Sequence, residues 1–323
     1  LYDIGKKIFI FEVPIMSDTN SYTPEEVSNI LKISKYTVYE MIKRGDLAAY
    51  HIGRKVRVQA SDLDHYIQKS KGASSAAVSK QADSPPASQD SLIICGQDVV
   101  LDILTRHLER EFPQIKFLRN YVGSMDGLLA LYRGTANVAT AHLWDSDTGN
   151  YNTPYIRRIL PGHKALLINL VHRSAGFYVT KGNPKGIFSW KDLTRPDVRI
   201  INRECGSGAR VLLDEQLRKL SLSTKDLQGY SHIEMSHLAV ASTVARGDAD
   251  VGIGIEKAAQ QVQGVDFIPL QVERYDIVIR KDDADKPLFQ ALLTALRSKA
   301  FINEVQGIGG YDLSKTGQIV DEV

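Results

Sequence analysis

Between residues 72 and 90 the chain has almost nothing with which to build a core. The run Ala73-Ser74-Ser75-Ala76-Ala77 is followed by Ser84-Pro85-Pro86-Ala87-Ser88, without hydrophobic periodicity. Burial in such a stretch cannot offset the entropy lost on ordering it, so the composition predicts a flexible linker. The linker divides the 323 residues into a small N-terminal domain, residues 16–71, and a large C-terminal one, residues 91–323. Ahead of both, residues 1–15 carry Ile8-Phe9-Ile10-Phe11, which Glu12 and Pro14 soon interrupt. No small-residue cleavage site follows, so the segment does not read as a secretory signal; it is expected to be an upstream extension, with Met16 as the native start. No apolar run approaches the length of a membrane span, and with no export signal a cytoplasmic protein is the expectation.

In the small domain, Tyr22-Thr23-Pro24-Glu25-Glu26-Val27 places a threonine N-cap before proline at the first helical position, with acids in the first turn. That helix should run to about Leu31. Ser34 should cap a second helix, Lys35 to Lys43, with Val38 and Ile42 inward and Lys35, Tyr36, Thr37, Tyr39 and Lys43 outward. Residues 47–52 and 55–58 flank Gly53-Arg54 as a hairpin, and Ser61 should cap a last helix through Gln68. Two short helices and a basic hairpin make a small α+β winged helix-turn-helix. From Lys32 to Arg57 seven basic residues face two acids, the electrostatic footprint that phosphates require. The expected contacts to double-stranded DNA come from Ser34, Lys35, Tyr36, Thr37, Tyr39, Lys43 and Arg44 on and around the second helix, and from Arg54, Lys55 and Arg57 on the wing. The run from Tyr22 to Tyr66, with Ser34-Lys35-Tyr36-Thr37-Val38-Tyr39, Arg44-Gly45-Asp46-Leu47, Gly53-Arg54-Lys55-Val56-Arg57 and Asp62-Leu63, closely resembles the excisionase-type, MerR-like helix-turn-helix family. The resemblance implies DNA binding by the second helix and the wing.

The large domain opens with Leu92-Ile93-Ile94-Cys95, a short apolar strand ended by Gly96. A helical face follows, Val99, Val100, Ile103, Leu104, Leu108 and Phe112, then a strand at Lys116-Phe117-Leu118 and a further helix after Gly123-Ser124. This β-α-β-α order predicts a mainly parallel sheet with helices on both faces. An echo points to two similar lobes: Arg133-Gly134-Thr135-Ala136-Asn137-Val138-Ala139 returns as Arg246-Gly247-Asp248-Ala249-Asp250-Val251-Gly252, each a helix ending at glycine before a small-residue strand. Serines, Ser124 and Ser236, should begin the two helices.

Polar or glycine-rich turns precede helices at Gly96-Gln97-Asp98, Gly123-Ser124-Met125, 205–210 and Ser236. Helix starts expose N–H groups at the positive end of the dipole and favour anions; any single serine there can equally be only a cap. The candidate ligand residues are Gln97, Asp98, Gly123, Ser124, Met125, Arg203, Ser207, Gly208, Arg210, Ser236 and His237. Arg203 and Arg210 can supply charge or pair structurally. Asp98 would repel a dianion, so either it points away as an N-cap or the ligand carries a donor.

This half is similar to the periplasmic-binding-protein superfamily, in particular to the domain related to molybdate- and tungstate-binding proteins. The likeness rests on Gly123-Ser124 with Gly127-Leu128, Ala141-His142-Leu143-Trp144-Asp145, Tyr151-Asn152, Asn202-Arg203, Gly206-Ser207-Gly208-Ala209-Arg210, and His237-Leu238-Ala239-Val240-Ala241 with Ala249-Asp250-Val251-Gly252. It implies a two-lobed α/β type II domain with its ligand in the cleft, lobe 1 about 91–175 and 276–323, lobe 2 about 176–275. The chain should cross between lobes near Phe177-Tyr178-Val179 and Tyr275-Asp276-Ile277. Molybdate or tungstate is the expected ligand, with an organic or cofactor-like metabolite, bound or transformed, as the alternative.

No nucleophile elbow or phosphate loop occurs, and Asp145 with Glu234 makes no convincing catalytic pair, so no catalytic residue and no resident cofactor is expected. His142 and His237 lie on separate units without acids or cysteines at ligand spacing, which argues against a metal. Cys95 and Cys205 read as buried thiols. Symmetric helix-turn-helix proteins read paired half-sites, so a homodimer or higher homo-oligomer is expected.

Overall fold

The computed structural model describes residues 21–31, 35–43, 47–52, 55–63, 66 and 91–323. The extension 1–15, Met16, the linker 72–90 and the end of the last N-terminal helix lie outside the described residues. The chain divides into two compact units, residues 1–82 and 83–323.

In the first unit the short strand β1 (Ser21–Tyr22) precedes α1 (Pro24–Leu31) and α2 (Lys35–Lys43), and β2 (Tyr50–Ile52) and β3 (Lys55–Gln59) form the wing. Thr23 and Glu26 close a reciprocal cap: Thr23 N–H donates to the Glu26 carboxylate at 2.7 Å, and Glu26 N–H to Thr23 Oγ1 at 3.2 Å. Tyr50 pairs with Arg57 and Ile52 with Lys55. Val27, Val38, Met41, Leu47, Val58 and Leu63 form the core. Helical residues begin at Ala60, so Ser61 stands inside the turn it was expected to cap.

The second unit repeats one pattern twice. In its first half β4 (Ser91–Cys95), α3 (Val99–Glu111), β5 (Lys116–Asn120), α4 (Ser124–Tyr132) and β6 (Val138–Ala141) alternate, and β4 lies parallel to both β5 and β6. After α5 (Thr153–Ile159), the sixteen-residue strand β7 (Ala165–Thr180) leads into the second half. There β8 (Ile200–Arg203), α6 (Gly208–Lys219), β9 (Ile233–Glu234), α7 (His237–Ala245) and β10 (Val251–Ile255) build a second parallel arrangement. The short α8 (Glu256–Ala259) precedes β11 (Val265–Arg280), which returns antiparallel to β7 along its whole length. Helices α9 (Pro287–Arg297) and α10 (Lys299–Ile308) then cover α3, and β12 (Tyr311–Asp312) and β13 (Ile319–Glu322) pair with β7.

The strand order is β5-β4-β6-β11-β7-β10-β8-β9, with antiparallel strands at its centre where the sequence predicts a mainly parallel sheet. Only β7 and β11 belong to both lobes. β11 joins the first lobe by pairing with β6 at 276–278, and β7 joins the second by pairing with β10 at 175–179. The passage therefore falls around Arg173 and Glu273, which are register partners. Phe177-Tyr178-Val179 lie already in the second lobe and Asp276-Ile277 already in the first. Both expected crossings come a few residues late, because a continuous strand carries no turn residue to mark where it changes lobes. Each half-sheet is covered on both faces by separate apolar clusters.

The internal echo is structural. Arg133 and Arg246 are the C-caps of α4 and α7, and Gly134 (φ +72°) and Gly247 (φ +77°) take the left-handed turn that glycine tolerates. The helix starts differ by one position: Ser236 is the N-cap of α7, whereas Gly123 is the N-cap of α4 and Ser124 its first helical residue.

Candidate ligand cleft and DNA-binding surface

The cleft is built by bringing two turns together. Gly123, before α4, approaches the turn before α6 so closely that a Cβ on it would lie 3.1 Å from Ser207 Cα. Met125 N–H donates to Gly206 O across the same gap at 3.0 Å. A Cβ on Gly208 would come within 2.6 Å of three atoms of the His142 ring, so only glycine lets the imidazole lie on that helix start. What remains is a cavity of about 20 Å³, lined among others by Gln97, Ser124, Thr140, His142, Arg203, Ser207, His237 and Tyr275. That is room for about one water.

Of the expected ligand residues, Gln97, Gly123, Ser124, Arg203, Ser207, Gly208 and His237 meet at this cavity. Asp98, Met125, Arg210 and Ser236 do not line it. Met125 contributes its backbone N–H to the lobe contact and its side chain to a core cluster. Arg210 reaches away, 3.9 Å above the Tyr230 ring and 3.3 Å from Asp214, which answers its ambiguity as a structural pairing. Ser236 caps α7 and lines a neighbouring groove. Asp98 is the N-cap of α3: its carboxylate accepts from Val100 N–H at 2.8 Å, from Tyr311 O–H at 2.9 Å and from Arg173. Its charge is turned from the cavity.

The serines are spent unequally. Ser207 Oγ donates to Glu204 O at 2.9 Å and accepts from Arg210 N–H, so it acts as a cap. Ser124 Oγ accepts from His142 N–H at 3.4 Å, and its proton has no acceptor among the described residues. Arg203 grips Glu204 with two nitrogens at 2.7 Å and reaches Gln97 Oε1 across the cleft at 3.1 Å.

Beneath the cavity lies a charged cluster missed in the sequence. Arg173, 3% exposed, donates Nε–H to Glu273 at 2.6 Å, bonds Asp98, and lies 4.1 Å above the Tyr275 ring. Burial alone would lower its pKa, but the Glu273 and Asp98 carboxylates raise it. Burial likewise pushes the Glu273 carboxyl up, yet His142 and Arg173 hold it at about 2. His142 Nδ1–H donates to Glu273 at 3.0 Å. The one available signal was charge inside apolar strand patterns, Arg173 in 165–180 and Glu273 in 265–280. Thr140, which shares a 2.7 Å hydrogen bond with Tyr275, carried no such signal.

His142 and His237, from separate units of the sequence, come together with ring centroids 6.3 Å apart. His237 is held neutral, first by burial and then by the positive charges of Arg203 and Arg173 and by His142. Its Nδ1, like Arg173 Nη2, is buried without a hydrogen-bond partner. Among the described residues no cluster of three or more His, Cys, Asp or Glu is arranged to hold a metal, and no helix is long and apolar enough to cross a membrane. Cys95 is buried as expected; Cys205 is exposed, because it sits on the sharp turn that Gly206 (φ +84°) makes before α6.

In the small unit, Lys35 and Tyr39 are exposed on α2 and Lys55 on β3, with Thr37 and Arg57 half-buried. Lys35 pairs with Glu25 at 3.0 Å in solvent, a weak pairing that leaves it available to phosphate. Tyr36 and Lys43 lie on α2; Ser34, Arg44 and Arg54 lie outside the described residues.

The family described as PBP superfamily domain matches residues 105–297, and the helix-turn-helix domain matches residues 21–71. The chain belongs to the PBP superfamily. It carries an N-terminal, excisionase-like helix-turn-helix domain, which makes it a DNA-binding protein with a small-ligand domain. The Bacillus subtilis (strain 168) protein YvgK is 45% identical over 311 residues, covering 95% of this chain and all of that protein. A Clostridium pasteurianum protein described from the 5′ region of a 2Fe-2S ferredoxin gene is 54% identical over 113 residues, 35% of this chain and all of its own length. Two solved structures show the same PBP fold, each with a TM-score of 0.52. One is a putative phosphate ABC transporter substrate-binding protein from Clostridium perfringens with bound phosphate (14% identity, 69% of this chain, 98% of that one). The other is a tungstate ABC transporter protein from Geobacter sulfurreducens (12% identity, 68% and 99%).

Proposed function

We propose that this PBP-superfamily protein is a cytoplasmic transcriptional regulator whose two-lobed domain senses a small oxyanion, molybdate or tungstate before others. The observation that carries the reading is the meeting of two helix starts, at Gly123-Ser124 and Ser207-Gly208, around a cavity where the Ser124 hydroxyl proton has no acceptor among the described residues. Backbone N–H groups at two positive dipole ends, the Ser124 hydroxyl and Arg203 suit a tetrahedral anion. Asp98 offers no repulsion, because Arg173 takes its charge. The bound phosphate of the Clostridium perfringens protein and the tungstate in the name of the Geobacter sulfurreducens protein support the ligand class.

The cavity is too small for such an anion as it stands, so binding requires the lobes to part and reclose. On reclosing, Arg203 shares its guanidinium between Glu204 and the anion, in place of its bond to Gln97. The ligand shifts DNA binding only by its differential affinity for the two lobe arrangements, and the response passes through self-association of the sensor domain into a symmetric dimer.

Thermal unfolding of the full chain with molybdate, tungstate, sulfate and phosphate tests this reading. A concentration-dependent rise with molybdate or tungstate, together with changed affinity for DNA in fluorescence anisotropy, is expected. No rise with any of the four sinks the assignment of a bare inorganic oxyanion, molybdate and tungstate included.

A further inference from the structure

Beside the small cavity, and sharing Gln97 and His237 with it, runs a groove of about 460 Å³. That volume falls in the range of roughly 300–1,000 Å³ typical of small-molecule sites. Its walls come from both lobes. Val99 at the start of α3 and Tyr121 before α4 stand on one side, Met235 and Leu238 around the start of α7 on the other. All four are exposed large apolar side chains, Tyr121 and Met235 by more than 60%. Single exposed apolar residues need no explanation, but four gathered along one concave surface mark a binding site.

The polar groups along the groove are largely committed elsewhere. Asp98 is held as described above, Asp102 accepts from Arg119 and Tyr121, and Lys257 donates to Ile308 O. No unpaired cation is left there to hold a second inorganic ion. One group is unspent: His237, nine-tenths buried, stands where groove and cavity join, and its Nδ1 has no partner. A buried ring nitrogen without a partner is costly, and a ligand atom that enters the junction as the lobes part and reclose would satisfy it.

We propose that cavity and groove form one composite site, and that the ligand is an organic oxyanion: a phosphate-like headgroup at the helix starts, joined to a flat aromatic or heteroaromatic body. The body lies in the groove against the Tyr121 ring, with the Met235 thioether and Leu238 on its other side and His237 hydrogen-bonded at the junction. This inference rests on the oxyanion reading of the helix starts and puts an organic oxyanion there in place of bare molybdate or tungstate. It also supplies what a bare ion lacks: a body touching both lobes favours the closed arrangement through apolar contacts as well as charge.

Isothermal titration of the full chain separates the possibilities. The probes are 4-methylumbelliferyl phosphate and flavin mononucleotide as head-plus-body ligands, inorganic phosphate and molybdate as heads alone, and 4-methylumbelliferone as a body alone. At least one monoester is expected to bind ten-fold or more tightly than either inorganic ion, and Met235→Asp and Leu238→Asp should bring its affinity down to that of phosphate. If phosphate or molybdate binds and neither monoester exceeds it, the organic-ligand inference is overturned while the oxyanion reading stands. If no anion binds, the oxyanion reading fails and takes this inference with it, even should the uncharged body bind. An advantage that survives both aspartate substitutions also overturns the inference, because the body would then lie outside the groove.

Discussion

Two arginines serve the same cleft and are held in opposite ways. Arg173 lies in the passage between lobes, clasped by Glu273 and Asp98, which come from strand β11 and the cap of α3, far apart in sequence. Arg203, at the end of β8, is held chiefly by Glu204, its own neighbour, and reaches the other lobe only through a neutral amide. The first arrangement fixes three distant elements at once; removing it would strand two buried carboxylates. The second ties Arg203 to one carboxylate of its own turn and bridges the lobes only by an amide, so in the proposed function Arg203 can turn toward an anion without breaking an ion pair between lobes. One arginine is a rivet between lobes and the other, in that reading, is shared between Glu204 and ligand.

The sharpest way to break this comparison is to remove each arginine in turn. Arg173→Ala should destabilise the sensor domain by about 3–5 kcal/mol, as loss of one partner from a buried ion cluster does. Arg203→Ala strands one buried carboxylate, Glu204, rather than two, so it should cost less stability than Arg173→Ala while removing most of the anion-induced thermal shift. Equal losses of stability in urea unfolding would erase the distinction.

A somewhat smaller effect is expected where the lobes touch. Gly208→Ala puts a methyl into the His142 ring, with an overpacking cost of about 1–3 kcal/mol and a weakened ligand response. Ser124→Ala combined with Ser207→Ala should leave DNA binding without ligand intact and abolish the ligand response in anisotropy. A preserved response would reduce both serines to helix-start residues.

Acid should loosen the domain in two stages. His237 has a folded pKa below its ordinary 6.5, so its contribution is complete above that pH and is lost as the pH falls through and below it. Glu273, held at about 2, stabilises fully above its ordinary 4.5 and loses that contribution as the pH drops toward 2. Asp276, pushed up by burial, acts with the opposite sign and softens the fall. Melting midpoints should decline below pH 6.5, and His237→Gln should flatten that first decline. An unchanged slope in this variant would show that another group titrates there.

The smallest effects belong to local caps and the wing. Ser236→Ala should cost about 1 kcal/mol by removing the cap on Ala239 N–H, read in the same urea titration. Arg57→Ala should weaken binding across DNA sequences and lower the salt dependence by about one contact, measured by anisotropy over a salt series.

The helix starts and ends, the β-α-β order and the repeated glycine turn were legible in the residues, because each depends on neighbours within a few positions. Thr23 with Glu26, Gly134 and Gly247 state their conformations locally. Within its described residues the helix-turn-helix follows the expected order of two helices and a hairpin for that reason, with a one-residue shift at Ser61. The two-lobed plan also followed from the doubled unit. What the sequence could not state was register over a hundred residues. Arg173 meets Glu273, and His142 comes beside His237, only because β7 and β11 run antiparallel for sixteen residues and carry both lobes. The same long pairing decided that the Asp98 carboxylate meets Arg173, and left the Ser124 hydroxyl proton and the His237 ring nitrogen without partners among the described residues. Caps and turns are short-range hydrogen bonds that a few residues can specify; the charge balance of a buried cleft is a sum over elements that only the folded sheet brings together.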